Sequence, residues 1–430
     1  MGAIEEVLSQ ARGLVEPGPE DEARLKAAAE GFMAYLAARL RGAGVEGEVA
    51  LVGSSARGTW LPDSKDIDIF IILPKKYQKN FIENLLEIII NIFKKDDIDF
   101  ELRYAEHPYV TAHYNGLEID VVPCFKIAPG EPPLTTADRS PLHHDYLVNR
   151  LTDEAKLHIR YLKRFLKTIG VYGAEVKVEG FSGYLAELLV VHYGSFLGVL
   201  EAARGWRPYR TVIDPEGYYE PREAAKKFRS PLVVVDPVDR NRNVAAAVSL
   251  TSMSTFVLAA RRFLASPSLS YFAPRATETP LPVPSMSLSF PYPQGKPADV
   301  VWGMYKSTAR ALANKLEECG FRVLRYGVES DEKTYVKVVL LLESLELPPY
   351  ELHEGPPVFS DALDKFVEKY VRMDVVGPFV RGDRVYVIRR RRISRAEDCA
   401  AKAAGELGLK PASIDLGLGS WLASKNPWLT

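Results

Sequence analysis

Cysteine is scarce in this sequence of 430 residues. Its three cysteines, Cys124, Cys319 and Cys399, lie far apart, are odd in number and have no metal-ligand spacing. A disulfide framework and a zinc site are therefore not expected, and each cysteine is predicted to be a small buried apolar residue. A reducing, cytoplasmic location follows from the same observation, because disulfides are rare there.

Net charge and long apolar runs are also nearly absent. The 55 Lys and Arg residues stand against 56 Asp and Glu residues, which gives a formal net charge of −1. Nucleic-acid binding through a global positive field is thereby excluded, so any such contact must come from local basic patches. The first residues lack the pattern of a signal peptide, no apolar run reaches the length of a membrane span, and we expect no membrane association. The composition, with 47% hydrophobic and 26% charged residues, predicts a soluble globular protein of several domains.

The chemistry is concentrated in the stretch from residue 51 to 74. Gly53-Ser54 follows a short apolar run, and Ser54 is predicted to cap a short helix over residues 55–60. The backbone N–H groups and the positive end of such a helix can receive phosphate. The sequence therefore predicts a phosphate-binding turn at Gly53-Ser54.

Three aspartates are predicted to meet beside this turn. Asp66 and Asp68 begin an apolar strand, whose period of two places both on one face, and Asp120 lies in the second arm of a hairpin predicted around Asn115-Gly116. Clustered carboxylates repel one another unless a cation neutralises them. Mg²⁺ favours oxygen ligands, and two such ions can assist an in-line phosphoryl displacement. We therefore predict that Asp66, Asp68 and Asp120 are the catalytic residues and the ligands of two Mg²⁺ ions.

A lone Asp-x-Asp pair more often decorates the solvated face of a strand. Here the Gly-Ser turn, the apolar strand after the pair and the third acid argue together against that explanation. The reaction class they indicate is nucleotidyl transfer.

The same residues resemble the signature of the DNA polymerase β-type nucleotidyltransferase superfamily. Longer phrases resemble the archaeal, class I CCA-adding enzymes, densely up to about residue 265 and more loosely beyond. These phrases are VGSSARGTW, RYAEHPYV, DVVPCF, DRSPLHH, VYGAEVKVEGFSGYL and VVDPVDRNRNVA. The resemblance implies addition and repair of the 3′-terminal CCA of tRNA from CTP and ATP, without a nucleic-acid template. The tRNA 3′-hydroxyl would attack the α-phosphate, its proton passing to Asp120 or to metal-bound solvent, and pyrophosphate would leave.

The resemblance also implies a set of nucleotide-binding residues. Those that match triphosphate contacts are Ser54, Arg57, His143, Lys163 and Tyr172, with Ser140 beside His143. Arg242 matches the arginine that reads the Watson–Crick edge of the incoming base. From the residues alone, His143 and His144 favour one exposed and one hydrogen-bonded histidine, and Arg242 favours a surface position. Asp236 and Asp239 favour turn and cap roles rather than metal binding.

The predicted fold class is α+β with several domains. The domains are a polymerase β-type nucleotidyltransferase head with a mixed sheet (1–145), a largely helical central domain (146–265), an extended Pro- and Ser-rich connector (266–297) and a small α/β C-terminal tRNA-binding body with a helical tail (298–430). The central domain is predicted to contain helices over 153–169 and 183–203. Four arginines at 389–392 follow a predicted strand and are either a solubilising face or a contact to the phosphate backbone.

Other functions stay open at this point. Another terminal RNA nucleotidyltransferase, such as a poly(A) or uridylyl polymerase, would share the same acids. A catalytically silent RNA-binding module would share the fold. The expected partners are the acceptor stem and 3′ end of tRNA, CTP and ATP, and the oligomeric state is open, a homodimer included.

Overall fold

The chain divides near residue 276, inside the stretch rich in proline and serine. The structure, a computed structural model, describes residues 2–64, 66–104, 108–274, 280–424 and 426–429. One unit comprises Met1–Ala276 with Pro427–Thr430, and the other comprises Thr277–Asn426. Each unit is described by itself below.

The elements of the first unit alternate between helices and short strands. In chain order they are α1 (Ala3–Val15), α2 (Pro19–Gly42), β1 (Glu48–Val52), α3 (Gly53–Arg57), β2 (Asp66–Leu73), α4 (Phe81–Lys95), β3 (Phe100–Tyr104), β4 (Pro108–Tyr114), β5 (Leu117–Phe125), α5 (Arg139–Val148), α6 (Asp153–Thr168), α7 (Gly183–Tyr193), α8 (Phe196–Ala203), β6 (Val212–Ile213), α9 (Pro221–Phe228), β7 (Val233–Asp236), β8 (Asp239–Asn243) and α10 (Leu250–Ala265). Short 3-10 helices lie at Thr136–Asp138 and Leu269–Tyr271.

A five-stranded mixed sheet carries the predicted acids. Its strand order is β1-β2-β5-β4-β3, in which β2 and β5 are parallel and the other pairs are antiparallel. Ile67, Ile69 and Val121 point to the opposite face from the acids and are fully buried in a core that helices α2 and α4 cover. The hairpin predicted at Asn115-Gly116 is confirmed, because both residues have the positive φ that a type I′ turn requires.

Helices α6, α7, α8 and α10 build a second core in the same unit. The single helix predicted over 183–203 is wrong, because Gly194 adopts a positive φ and the side chain of Ser195 caps a new helix by accepting from the N–H of Gly198. The break bends α8 away from α7 by 91°. Among the described residues no single helix has the length and hydropathy to cross a membrane, and only this bent pair meets both criteria when its halves are taken together.

Over its described residues, the second unit combines two antiparallel sheets with three α-helices. Its elements, in chain order, are β9 (Pro284–Pro291), α11 (Ala298–Glu318), β10 (Val323–Ser330), β11 (Tyr335–Leu342), β12 (Tyr350–Pro357), α12 (Leu363–Tyr370), β13 (Val376–Arg381), β14 (Arg384–Arg390), α13 (Ala396–Glu406) and β15 (Ser413–Leu418), followed by a 3-10 helix at Trp421–Ala423. The sheet orders are β10-β11-β9-β15 and β12-β14-β13.

Two predictions for this unit need correction. The prediction of an extended connector over 266–297 is wrong in its second half. Strand β9 lies there between β11 and β15, and it buries Met286 and Leu288. The prolines stand at the two ends of β9, where a strand tolerates them. The expectation of three unpaired cysteines is also wrong, because Cys319 and Cys399 form a disulfide and Cys124 alone is a buried free thiol. Their separation of 80 residues hid this pairing in the sequence.

Loss of this disulfide is expected to destabilise the second unit. A crosslink across 80 residues restricts the unfolded chain by about 4 kcal/mol in the chain-entropy model. We expect a Cys319→Ser/Cys399→Ser variant to lose about that much free energy of unfolding, measured by urea denaturation of the full chain. Dithiothreitol should lower the stability of the wild type to that of the variant and leave the variant unchanged. A wild type insensitive to the reductant would contradict this expectation.

Candidate active site

The three predicted acids lie on the face of the five-stranded sheet opposite the core that α2 and α4 cover. Asp68 on β2 is in register with Asp120 on β5, so they are neighbours on adjacent parallel strands, about 4.8 Å apart along the sheet. Asp66 precedes them on the same face and is exposed at the start of β2. Asp120 accepts a hydrogen bond of 2.6 Å from the hydroxyl of Thr111 on β4. The structure thus places Asp68 and Asp120 side by side, with Asp66 two residues before Asp68 on the same strand.

The electrostatics of this cluster fit a bound cation. Burial, together with the charges of Asp120 and Asp66, raises the pKa of Asp68 to about 7. Burial also raises the pKa of Asp120, against the hydrogen bond from Thr111. The described residues contain no group of three or more His, Cys, Asp or Glu side chains close enough to enclose a metal ion. A pair of registered carboxylates suits an ion that fills the rest of its shell with water and substrate phosphates, as Mg²⁺ does.

Helix α3 is placed against the acids by a glycine. Gly53 has φ of +78°, and a Cβ atom at this position would lie 1.9 Å from Oδ2 of Asp68. The prediction that Ser54 caps a helix over 55–60 is wrong, because the helix begins two residues earlier, at Gly53, and its N-cap is Val52. Ser54 therefore lies within the first turn. The close approach of Gly53 to Asp68 explains why the chain needs glycine here.

A cavity of about 270 Å³ opens beside Asp68. Most of the predicted nucleotide-binding residues line it, together with residues that the sequence did not single out. The predicted ones are Ser54, Arg57, Ser140, His143, Lys163 and Tyr172, and the others include Gly53, Phe70, Gly183, Tyr184 and Glu187. Asp66, Asp120 and Arg242 are not among the lining residues. The convergence joins α3 to the later elements α5, α6 and α7, which lie far from α3 in the sequence.

Glu187 on α7 holds the two cations of this cavity, Arg57 and Lys163, which we call the cationic wall. Glu187 is fully buried and accepts hydrogen bonds of 2.8 Å from both Nε of Arg57 and Nζ of Lys163, and one from the hydroxyl of Thr59. Burial alone would raise the pKa of Glu187. The charges of Lys163 and Arg57 outweigh burial and lower this pKa to about 2. Burial in turn lowers the pKa of Lys163, which Glu187 opposes. Two cations and one carboxylate leave a net charge of +1 in this wall.

Asp236 is a second buried carboxylate at the site. Its Oδ2 atom lies 2.9 Å from Nε2 of His143 and accepts a hydrogen bond of 2.7 Å from Nη1 of Arg242. The ring of His143 stacks on that of Tyr184 with 4.0 Å between centroids. Arg242 thereby joins the His143 side of the cavity without lining it. The predicted turn role of Asp236 is confirmed too, since Oδ1 accepts from the N–H of Val238.

Glu187 and Asp236 are the functional candidates that the sequence reasoning missed or undervalued. Glu187 stands in a helix whose leucines and valines indicate only a core. An acid at a fully buried position of such a helix is the signal that could have found it, since buried carboxylates are almost always paired. The sequence indicates only a turn role for Asp236, because its partners lie 93 residues before it and six after it.

Three family models match successive parts of the chain. Residues 36–157 match the model of the nucleotidyltransferase domain, residues 158–273 that of the tRNA nucleotidyltransferase second domain, and residues 284–409 that of the CCA-adding enzyme C-terminal domain. A solved structure of the Cid1 poly(U) polymerase with MgGTP bound superposes with a TM-score of 0.50 at 14% identity, covering 62% of this chain and 97% of that chain. This likeness concerns the fold alone. Fold and site together define a nucleotidyltransferase of the polymerase β type.

Curated relatives extend over the chain. The CCA-adding enzyme of Pyrobaculum neutrophilum is 54% identical over 432 residues, which cover 100% of both chains. That of Saccharolobus shibatae is 38% identical over 353 residues, covering 81% of this chain and 82% of its own. The chain belongs to the family of CCA-adding enzymes. The family resemblance predicted from the sequence phrases is thereby confirmed.

Proposed function

We propose that this protein adds and repairs the 3′-terminal CCA of tRNA, using CTP and ATP and no nucleic-acid template. Membership of the CCA-adding family supports the reaction. The observation that carries its assignment to this site is the convergence of Ser54, Arg57, His143, Lys163 and Tyr172 on one cavity beside Asp68. A cytoplasmic location is part of the proposal because tRNA is the substrate, and the homodimer stays a prediction.

The acid cluster is the proposed catalytic centre. Proteins with the nucleotidyltransferase domain are generally metal-dependent, and we assign the ligands of two Mg²⁺ ions to Asp66, Asp68 and Asp120. When bound, such ions neutralise clustered carboxylates and stabilise the charge that develops on phosphate oxygens during an in-line displacement. Asp120 has a pKa raised by burial, which suits a carboxylate that accepts the proton of the attacking 3′-hydroxyl.

The cationic wall is the proposed binding site for the triphosphate. Arg57 offers a planar fork and Lys163 a compact charge, and both geometries suit phosphate oxygens. Their bonds to Glu187 fix both side chains before a nucleotide arrives, which lowers the ordering cost of binding. Tyr172 and Ser54 add hydroxyl groups on the cavity wall. Pyrophosphate would leave from this site after transfer.

Arg242 is proposed to read the incoming base. Cytosine and adenine both present a ring-nitrogen acceptor on the Watson–Crick edge, which a guanidinium donor satisfies, whereas uracil presents an N–H at the matching place. One nitrogen of Arg242 is bound to Asp236, and the side chain remains 36% exposed. The remaining donors of Arg242 are therefore accessible to a ligand.

The length of the product tests the proposed function. Full-length protein incubated with Mg²⁺, CTP, ATP and tRNA truncated by three, two or one nucleotides should add three, two or one residues and then stop. A poly(A) or uridylyl polymerase would instead extend a homopolymeric tail past three residues. A silent RNA-binding module would release no pyrophosphate. Either of these last two results would refute the proposal.

A further inference from the structure

Asp236 joins two parts of the site that serve different ends of a nucleotide. We propose that Asp236 is a positioning residue that couples polyphosphate binding at His143 to base selection at Arg242. This inference rests on the proposed function of the cavity and adds a residue for which that function gave no role. Its basis is the pair of bonds that one oxygen atom, Oδ2, makes to both side chains.

The bond to Asp236 determines that Nε2 of His143 carries a hydrogen. Oδ2 of an ionised carboxylate can only accept, so Nε2 of His143 must carry the hydrogen. The hydrogen bond from His143 and the charge of Arg242 lower the pKa of Asp236, although burial alone would raise it, and the carboxylate stays ionised. Stacking on Tyr184 holds the plane of the ring. With Nε2 bound to Asp236, Nδ1 can donate to a phosphate oxygen when the ring carries both hydrogens. Burial lowers the pKa of His143, and the hydrogen bond and charge of Asp236 oppose this and favour the doubly protonated ring.

The second bond fixes the direction of the arginine. Nη1 of Arg242 donates to Oδ2 at 2.7 Å, and the planar guanidinium is then oriented by its partner. Asp236 is 0% exposed and its other oxygen is bound to the backbone of Val238, so the carboxylate cannot rotate freely. A rigid acid therefore determines where the remaining donors of Arg242 point.

Because both donors share one oxygen, a change at one of them is felt at the other. Neutralising Asp236 as asparagine would put either an amide N–H₂ or a single carbonyl oxygen opposite two donors. An N–H₂ at the Oδ2 position would repel both side chains, whereas a neutral carbonyl oxygen there would accept from both more weakly and would turn the N–H₂ toward the N–H of Val238. The expected result is a joint loss of polyphosphate affinity and of base discrimination, which a residue that merely packs the turn would not produce.

Binding of three probes to the full chain separates these two effects. Isothermal titration calorimetry with inorganic tripolyphosphate reports polyphosphate binding, and the ratio of CTP to UTP affinity reports base selection. We expect Asp236→Asn to lower the affinity for tripolyphosphate about tenfold and the ratio of CTP to UTP affinity at least about fivefold. These factors correspond to the loss of a charged hydrogen bond. Arg242→Gln should reduce mainly the ratio and His143→Asn should weaken mainly tripolyphosphate binding, and through the shared acceptor each should also change the other readout by about twofold.

Asp239 supplies the matched control. It lies in the same β7–β8 turn, caps the N–H of Asn241 and pairs with Arg139 at 2.8 Å, with no bond to either side chain in question. Asp239→Asn should leave both readouts at the wild-type level. If Asp236→Asn leaves either readout unchanged, or if Asp239→Asn reproduces its effects, the inference is overturned.

A double-variant cycle covers the case in which Asp236→Asn does not fold, as judged by circular dichroism. Through a shared acceptor, the combined loss of CTP affinity in His143→Asn/Arg242→Gln should differ from the product of the single losses by at least about fivefold. Simply multiplicative losses would overturn the coupling. A wild type that binds CTP but adds nothing to tRNA would refute the proposed function and leave this test intact.

Discussion

Replacing Asp68 by alanine should abolish nucleotide addition while tRNA binding persists. Asp68 is the one acid of the cluster that also lines the nucleotide cavity, so its loss removes charge stabilisation at the point where the phosphate reacts. We expect kcat for CTP addition to fall by about 10³-fold or more, since removal of a single preorganised electrostatic group already costs about 10²–10³-fold. Single-turnover addition to truncated tRNA measures the rate, and a gel-shift titration measures tRNA binding.

Stability separates this loss from misfolding. The pKa of Asp68 is raised by burial and by Asp120 and Asp66, so its ionised form is repelled in the fold. Without added metal, Asp68→Ala should therefore melt at the wild-type temperature or above it. Asp63, an acid paired at the surface with Lys167 and Arg164, is the control, and Asp63→Ala should retain full activity. An active Asp68→Ala protein would refute the catalytic assignment.

Replacing Gly53 by alanine should disable the same site by steric means. The new methyl group would lie 1.9 Å from Oδ2 of Asp68 and would require a φ of +78°. Either the carboxylate or helix α3 must then shift by about 1 Å or more, and misplacement on that scale costs about 100-fold in rate. We expect kcat/KM for CTP to fall by about that factor, measured by initial-rate kinetics on truncated tRNA.

Gly58 at the other end of α3 provides the comparison. It also has a positive φ, +66°, but the nearest atom to an added Cβ is Cδ of Lys156 at 3.7 Å. Gly58→Ala should therefore lose only about 1–2 kcal/mol of stability, because alanine disfavours the left-handed backbone conformation. Its kinetics should stay near those of the wild type. Equal losses of activity in the two variants would mean that backbone strain, rather than contact with Asp68, is responsible.

The acid cluster could be predicted from the sequence because its signals are local. The period of two in β2 put Asp66 and Asp68 on one face, and the Asn115-Gly116 turn predicted the arm that carries Asp120. What the sequence could not give directly was that β5 pairs with β2 in parallel, in register at Asp68 and Asp120. That pairing depends on long-range packing of the two strands over α2 and α4.

Other features escaped because their partners are distant or their context overrides composition. The Cys319–Cys399 bond spans 80 residues, and an odd cysteine count argued against it. Prolines at 284 and 291 suggested a connector, yet the strand between them is paired on both sides. Several nucleotide-site residues, Arg242 among them, were reached only through family resemblance, and Glu187 was not reached at all, since its partners lie on α3 and α6.

The buried acid between Arg57 and Lys163 has a consequence for turnover. If the cavity binds polyphosphate as proposed above, Glu187 offsets one of the two positive charges, so reactant and product alike are bound less tightly than by two unopposed cations. Under that proposal the weaker binding favours release of pyrophosphate, which speeds an enzyme that must bind a new nucleotide for each added residue.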